Sequence, residues 1–200
     1  MDKIINYLKE KYNPLAIVTY GSFNDAMQDE YSDFDSMIIV KEKDKGHDNN
    51  VIDGVSLDCF IFTEEEVRSD NLDPFITIYD GSIILDTDDV ALKLKKRVQG
   101  FVEEHKVTSL SDKDFIKNWI TKTLKRIEKT DDEGNYRAIF LLSESLSCYC
   151  ELRDIFYFGS KKTVKYLKEH DSLGYELFHK AVTSRSNDDI KDWALYIKNK

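Results

Sequence analysis

The chain has 200 residues, and its 29 Lys and Arg against 38 Asp and Glu give a net charge of −9 at pH 7. That length suits one large domain or two small ones, and 41% hydrophobic with 12% aromatic residues exclude a disordered chain, as 2 Pro and 8 Gly exclude a fibrous one. The acid excess argues against nucleic-acid binding, which draws its affinity from phosphate neutralisation by a basic surface, and is compatible with a cationic small-molecule partner.

Residues 2–12 place Ile4, Ile5, Leu8 and Tyr12 on one helical stripe that Pro14 closes. Residues 15–20 are an apolar, β-branched run stopping at Gly21, the pattern of a buried strand. Residues 34–40 predict a second strand, apolar on both faces at its far end, and the polar residues 41–50 a hairpin loop. In residues 55–63 Ser56 and Asp58 fall on one face of a strand and Leu57, Cys59 and Ile61 on the other. A fourth strand is expected at 83–85, after a turn at Asp80-Gly81.

From about residue 88 the period becomes helical, with Val90, Leu94, Val98 and Phe101 on one stripe. The next helix sets a mixed face of Phe115, Trp119, Lys122 and Arg126 beside Ile116, Ile120, Leu124 and Ile127. The acidic run Asp131-Asp132-Glu133-Gly134 predicts a solvated break, followed by a long helix over 136–158 and shorter ones near 161–170, 175–183 and 188–198. The expectation is an α+β chain: a small mixed sheet flanked by helices in residues 1–105, then a helical bundle in 106–200.

No apolar run is long enough for a membrane span, the charged residues 1–10 do not make a secretory signal, and 3 cysteines do not make a disulfide framework. These features predict a cytoplasmic protein. Cys148 and Cys150, two apart on a helix, point apart and read as core residues. His47, His105, His170 and His179 show no ligand spacing, and Tyr149, Phe156, Tyr157 and Phe158 read as core aromatics.

Chemistry concentrates between residues 20 and 58. A strand runs into Gly21-Ser22; ten residues later Asp33 and Asp35 open the next strand. Gly21 permits a tight turn and close approach of a ligand, and Ser22 with the backbone N–H groups after it can hold phosphate oxygens. Carboxylates two apart on a strand leave the same face and repel unless a cation neutralises them; hard oxygen ligands of this kind suit Mg²⁺ beside substrate phosphates. Asp58, in mid-strand between apolar residues, supplies a third carboxylate if its strand lies beside that of Asp33 and Asp35.

The pattern Gly-Ser, a ten-residue gap, Asp-x-Asp and a later strand Asp resembles that of the polymerase-beta-type nucleotidyltransferases, most of all their kanamycin (aminoglycoside) nucleotidyltransferase-like members. The likeness also takes in residues 78–85 and the helical tail through Gly174-Tyr175. It implies transfer of a nucleoside monophosphate from a nucleoside triphosphate, ATP by preference, to a hydroxyl of a small molecule such as an aminoglycoside antibiotic, with two Mg²⁺ ions and release of pyrophosphate. It implies Asp33, Asp35 and Asp58 as metal ligands, Gly21 and Ser22 as triphosphate contacts, and a homodimer. Either Asp58 or a helical-domain carboxylate, Glu128 on this chain, would be the general base.

Related enzymes often carry a cation shortly after Gly-Ser, where this chain has Phe23-Asn24-Asp25. Lys161 or Lys162 would have to replace it, although Gly159-Ser160-Lys161-Lys162-Thr163 lacks the first glycine and the preceding strand of a P-loop and reads as a junction between helices. The acids Glu103, Glu104, Asp112, Asp114, Glu144, Glu151 and Asp154 of the helical half would favour a polycationic acceptor. The alternative is a nucleotidyltransferase-fold module of weak or no turnover, with a binding, regulatory or protein-modifying, antitoxin-like role.

Overall fold

A computed structural model describes residues 1–21, 23 and 32–199. The fold is α+β, and the chain divides into two compact units, Met1–Phe101 and Val102–Lys200.

The first unit is built on a mixed sheet. Its strands are β1 (Ala16–Thr19), β2 (Phe34–Val40), β3 (His47–Asp48), β4 (Val51–Ile52), β5 (Val55–Thr63) and β6 (Ser82–Asp86). The strand order is β3-β5-β2-β1-β6, with β4 folded back on β5. Among the described strands only β2 and β5 run parallel. Central strands buried on both faces read as apolar runs rather than alternations, and all four residues of β1 are buried. One face carries Ile17, Phe34, Ile38, Leu57, Cys59 and Ile61 beneath Ile4, Ile5 and Leu8 of α1 (Asp2–Tyr12). The other carries Ala16, Val18, Met37 and Ile39 against Phe75 and Ile78 of a 3₁₀ segment and Ala91, Leu94 and Val98 of α2 (Val90–His105). The segment expected to be a plain loop over 41–50 contains β3. It is two polar residues long, so no local signal marks it; pairing with β5 alone creates it.

The second unit is helical: α3 (Leu110–Ile127), α4 (Asp132–Glu151), α5 (Ser160–His170), α6 (Ser172–Ser184) and α7 (Asn187–Asn199). Its core gathers Ile116, Ile120, Leu141, Leu146, Tyr149 and Ile197 around Trp193, whose ring stacks on Tyr149 at 5.8 Å and meets Phe178 at 5.6 Å. Two expectations are corrected. Asp131-Asp132-Glu133-Gly134 is a helix start rather than a loop: the Asp131 carboxylate accepts from the Gly134 N–H at 2.8 Å and the acids fill the positive end of α4. The long helix stops at Glu151 instead of 158. Asp154 is left-handed (φ 56°), and its carboxylate accepts from the Thr108 N–H at 2.9 Å and pairs with Lys113 at 2.6 Å. Of the aromatics expected in the core, Tyr149 is fully buried, Phe156 and Phe158 are half-buried and Tyr157 is exposed. All three cysteines are buried free thiols. No described helix is long and apolar enough to cross a membrane.

Candidate functional site

The parallel register sets Asp35 directly beside Asp58, with Phe34 beside Leu57 and Ser36 beside Cys59. Residues aligned in this way leave the same face of the sheet. Asp35 shares its face with Met37 and Ile39, and Asp58 shares it with Phe60 and Phe62, so both carboxylates lie on the face that α2 covers further along. Asp35 is the second residue of β2 and half-buried; Asp58 is the fourth residue of β5, its side chain 40% exposed. Asp33 is exposed one residue before β2.

Gly21 closes the site from β1. Its φ of +72° is a backbone conformation that favours glycine, and a Cβ built on it would stand 2.0 Å from Asp35 Oδ2. The backbone there is therefore kept bare so that the Asp35 carboxylate can lie directly against it. Tyr20 supports the arrangement from below, its N–H donating to the Asp35 carbonyl at 3.2 Å and its hydroxyl to the Ser36 carbonyl at 3.2 Å. Burial pushes the Tyr20 phenol well above its ordinary value; a hydrogen bond with Thr77 opposes this, and the charges of Asp58 and Asp35 add to it. Tyr20 is a neutral donor at any working pH.

His47 belongs to this site, although sequence reasoning passed over it. Its Nε2 lies 2.6 Å from Asp58 Oδ1 and its ring 4.9 Å from that of Phe60, the residue opposite it across β3 and β5. No spacing signal could have found it, because the pairing exists only once β3 forms. The neighbouring Asp48 holds β3 in place. Its fully buried carboxylate accepts from Tyr7 at 2.9 Å, from Tyr12 and Asn50, and from Lys11 at 3.2 Å, and it pairs with Lys45 at 3.0 Å. Burial works against the charged form, but the hydrogen bonds from Tyr12, Lys45, Tyr7 and Lys11 win and hold the carboxyl well below the usual range. The same contacts fasten the β3 edge to α1.

The remaining candidates lie elsewhere. Ser22 is outside the described residues. Glu128 is exposed at the C-cap of α3, and Lys161 and Lys162 occupy the first turn of α5, Lys162 lying 5.0 Å over the Phe158 ring; all three belong to the second unit. Gly21, Asp35 and Asp58 are thus brought together by the sheet, with Asp33 at its edge. Among the described residues no group of three or more His, Cys, Asp or Glu is gathered as a metal site. Two neighbouring carboxylates beside a bare glycine nevertheless match what Mg²⁺ takes when substrate phosphates supply the other oxygens. No protein-family model matches this chain, and no curated protein matches it, so the reading of the site rests on its own residues.

Proposed function

We propose that the chain is a Mg²⁺-dependent nucleotidyltransferase that moves a nucleoside monophosphate, from ATP by preference, to a hydroxyl of a small cationic molecule such as an aminoglycoside. The observation that carries this reading is the lateral pair Asp35–Asp58 with Gly21 pressed bare against Asp35. Two acids held side by side destabilise one another unless a cation lies between them, and the missing side chain at Gly21 is what lets the Asp35 carboxylate take its place in the pair. Bound Mg²⁺ would neutralise both the carboxylates and the triphosphate. Asp33, Asp35 and Asp58 would hold the cation, and Gly21 with Ser22 the phosphates. The acceptor oxygen bonds to the α-phosphorus as the bond to the β-phosphate oxygen breaks and pyrophosphate leaves. The hydroxyl proton passes to Asp58, the carboxylate that lies in the same unit as Asp35. Catalysis of this kind is mainly positioning and charge neutralisation.

The test is pyrophosphate release from each of the four common nucleoside triphosphates with Mg²⁺, in the presence of pooled aminoglycosides and lincosamides. Release should require one pool, and in Asp35→Asn should fall about a hundredfold or more, several kcal/mol of charge stabilisation being lost. Release undiminished in Asp35→Asn would overturn the assignment. Nucleotide binding without release from any pool would favour the non-catalytic module, the reading that the His47 contact on Asp58 supports.

A further inference from the structure

The second unit carries a groove none of whose lining residues is among the candidate metal or phosphate ligands. It lies between α3 and α4, has a volume of about 280 Å³, and is lined by Phe115, Ile116, Trp119 and Phe140 together with Glu144, Ser147, Cys148 and Glu151. α3 supplies an apolar wall. On α4 the lining residues recur at helical spacing, so Phe140, Glu144, Ser147, Cys148 and Glu151 form one stripe facing that wall. Two positions of this stripe are carboxylates, Glu144 exposed and Glu151 half-buried.

Neither carboxylate is ion-paired among the described residues. Glu144 makes no hydrogen bond or ion pair among the described residues, and Glu151 takes one side-chain hydrogen bond, from Ser147 at 2.6 Å, and no ion pair. No Lys or Arg lines the groove. Their negative field reaches the floor: burial pushes the Cys148 thiol up to about 12, and the charges of Glu151 and then Glu144 add to the rise. The rings remain accessible. Trp119 and Phe140 meet edge to face at 6.1 Å, and Phe115 and Phe140 are 71% and 41% exposed.

We propose that this groove binds a small organic cation, an ammonium group on an apolar body, with the ammonium between Glu144 and Glu151 and the body against Phe115, Trp119 and Phe140. Aromatic faces attract such cations, and the two carboxylates add their attraction for the ammonium. A bare metal ion is disfavoured, because hard cations take six or more oxygens where this groove offers two carboxylates in apolar walls. An anion is repelled. The proposal concerns side chains of the second unit alone and does not depend on the reading of Asp35 and Asp58.

Calorimetric titration of the full chain with 2-phenylethylammonium, against its uncharged analogue 2-phenylethanol, tests this. The cation should bind at one site, about tenfold tighter than the alcohol, a factor of the size a cation–π and carboxylate contact supplies. Glu144→Gln, Glu151→Gln and Trp119→Leu should each weaken it severalfold, while Glu176→Gln, an exposed acid outside the groove, should not, with near-ultraviolet circular dichroism confirming the fold of each variant. Equal binding of both probes, cation binding indifferent to Glu144→Gln and Glu151→Gln, or no saturation to roughly 10 mM would overturn the proposal. A wild-type dimer in sedimentation that Phe115→Asp converts to monomer would overturn it too, assigning the face to a second copy of the chain.

Discussion

At residue 21 a missing side chain matters more than any present one. A methyl group there would overlap the Asp35 carboxylate and would also have to sit at positive φ. Gly21→Ala is therefore expected to lower stability by only about 1 kcal/mol, the ordinary penalty of that backbone conformation, while displacing Asp35 and abolishing pyrophosphate release. Urea unfolding beside turnover checks this; a variant that keeps full turnover would separate Gly21 from the chemistry. Asp48 gives the opposite case, a buried charge with no part in the reaction. Its folded pKa lies below the ordinary 3.8, so the stability it contributes is complete above about pH 4 and is lost as the pH falls below that. Asp48→Asn should cost about 3 kcal/mol at pH 7, the range for breaking a buried charge network, and the gap to wild type should narrow at pH 3. A gap of equal size at both pH values would mean that the charge is not what holds β3 to α1.

Among the elements, β1, β2, β5, β6 and α1 were legible because their side chains carry the information locally. The β-branched runs at residues 15–20 and 34–40 can be little else, and the alternation from Val55 to Thr63 gave both the strand and the face on which Asp58 lies. That β2 and β5 are neighbours is a matter of topology, and the sequence reading could state it only as a condition. β3 was illegible for the same reason, and with it the partner of Asp58: His47 acquires meaning only from Phe60 and Asp58, more than ten residues away. The ends of α4 misled in two ways. Acids that resemble a loop are favourable at a helix start, and the apolar run to Phe158 continues past the point where Asp154 turns the backbone left-handed. Asp131→Ala removes the N-cap and should lower the urea stability by about 1 kcal/mol; no change would mean that the acids of the first turn suffice.

Over the whole molecule, the division into Met1–Phe101 and Val102–Lys200 separates two kinds of acid. In the first unit the register of two parallel strands pairs Asp35 with Asp58 and sets a bare glycine beside them; in the second, Glu144 and Glu151 are set among aromatic rings. A net charge of −9 gives both sites a general attraction for cations that salt screens, so salt alone should weaken both. What distinguishes the strand pair is coupling. Mn²⁺ titration followed by electron paramagnetic resonance, with ATP present and on wild type, Asp35→Asn, Asp58→Asn and the double variant, measures that coupling directly. If the two carboxylates act as one cation site facing a triphosphate, each single variant should lose nearly as much Mn²⁺–ATP affinity as the double. Affinity unchanged in Asp35→Asn, or losses that simply add, would contradict the paired site and with it the proposed reaction.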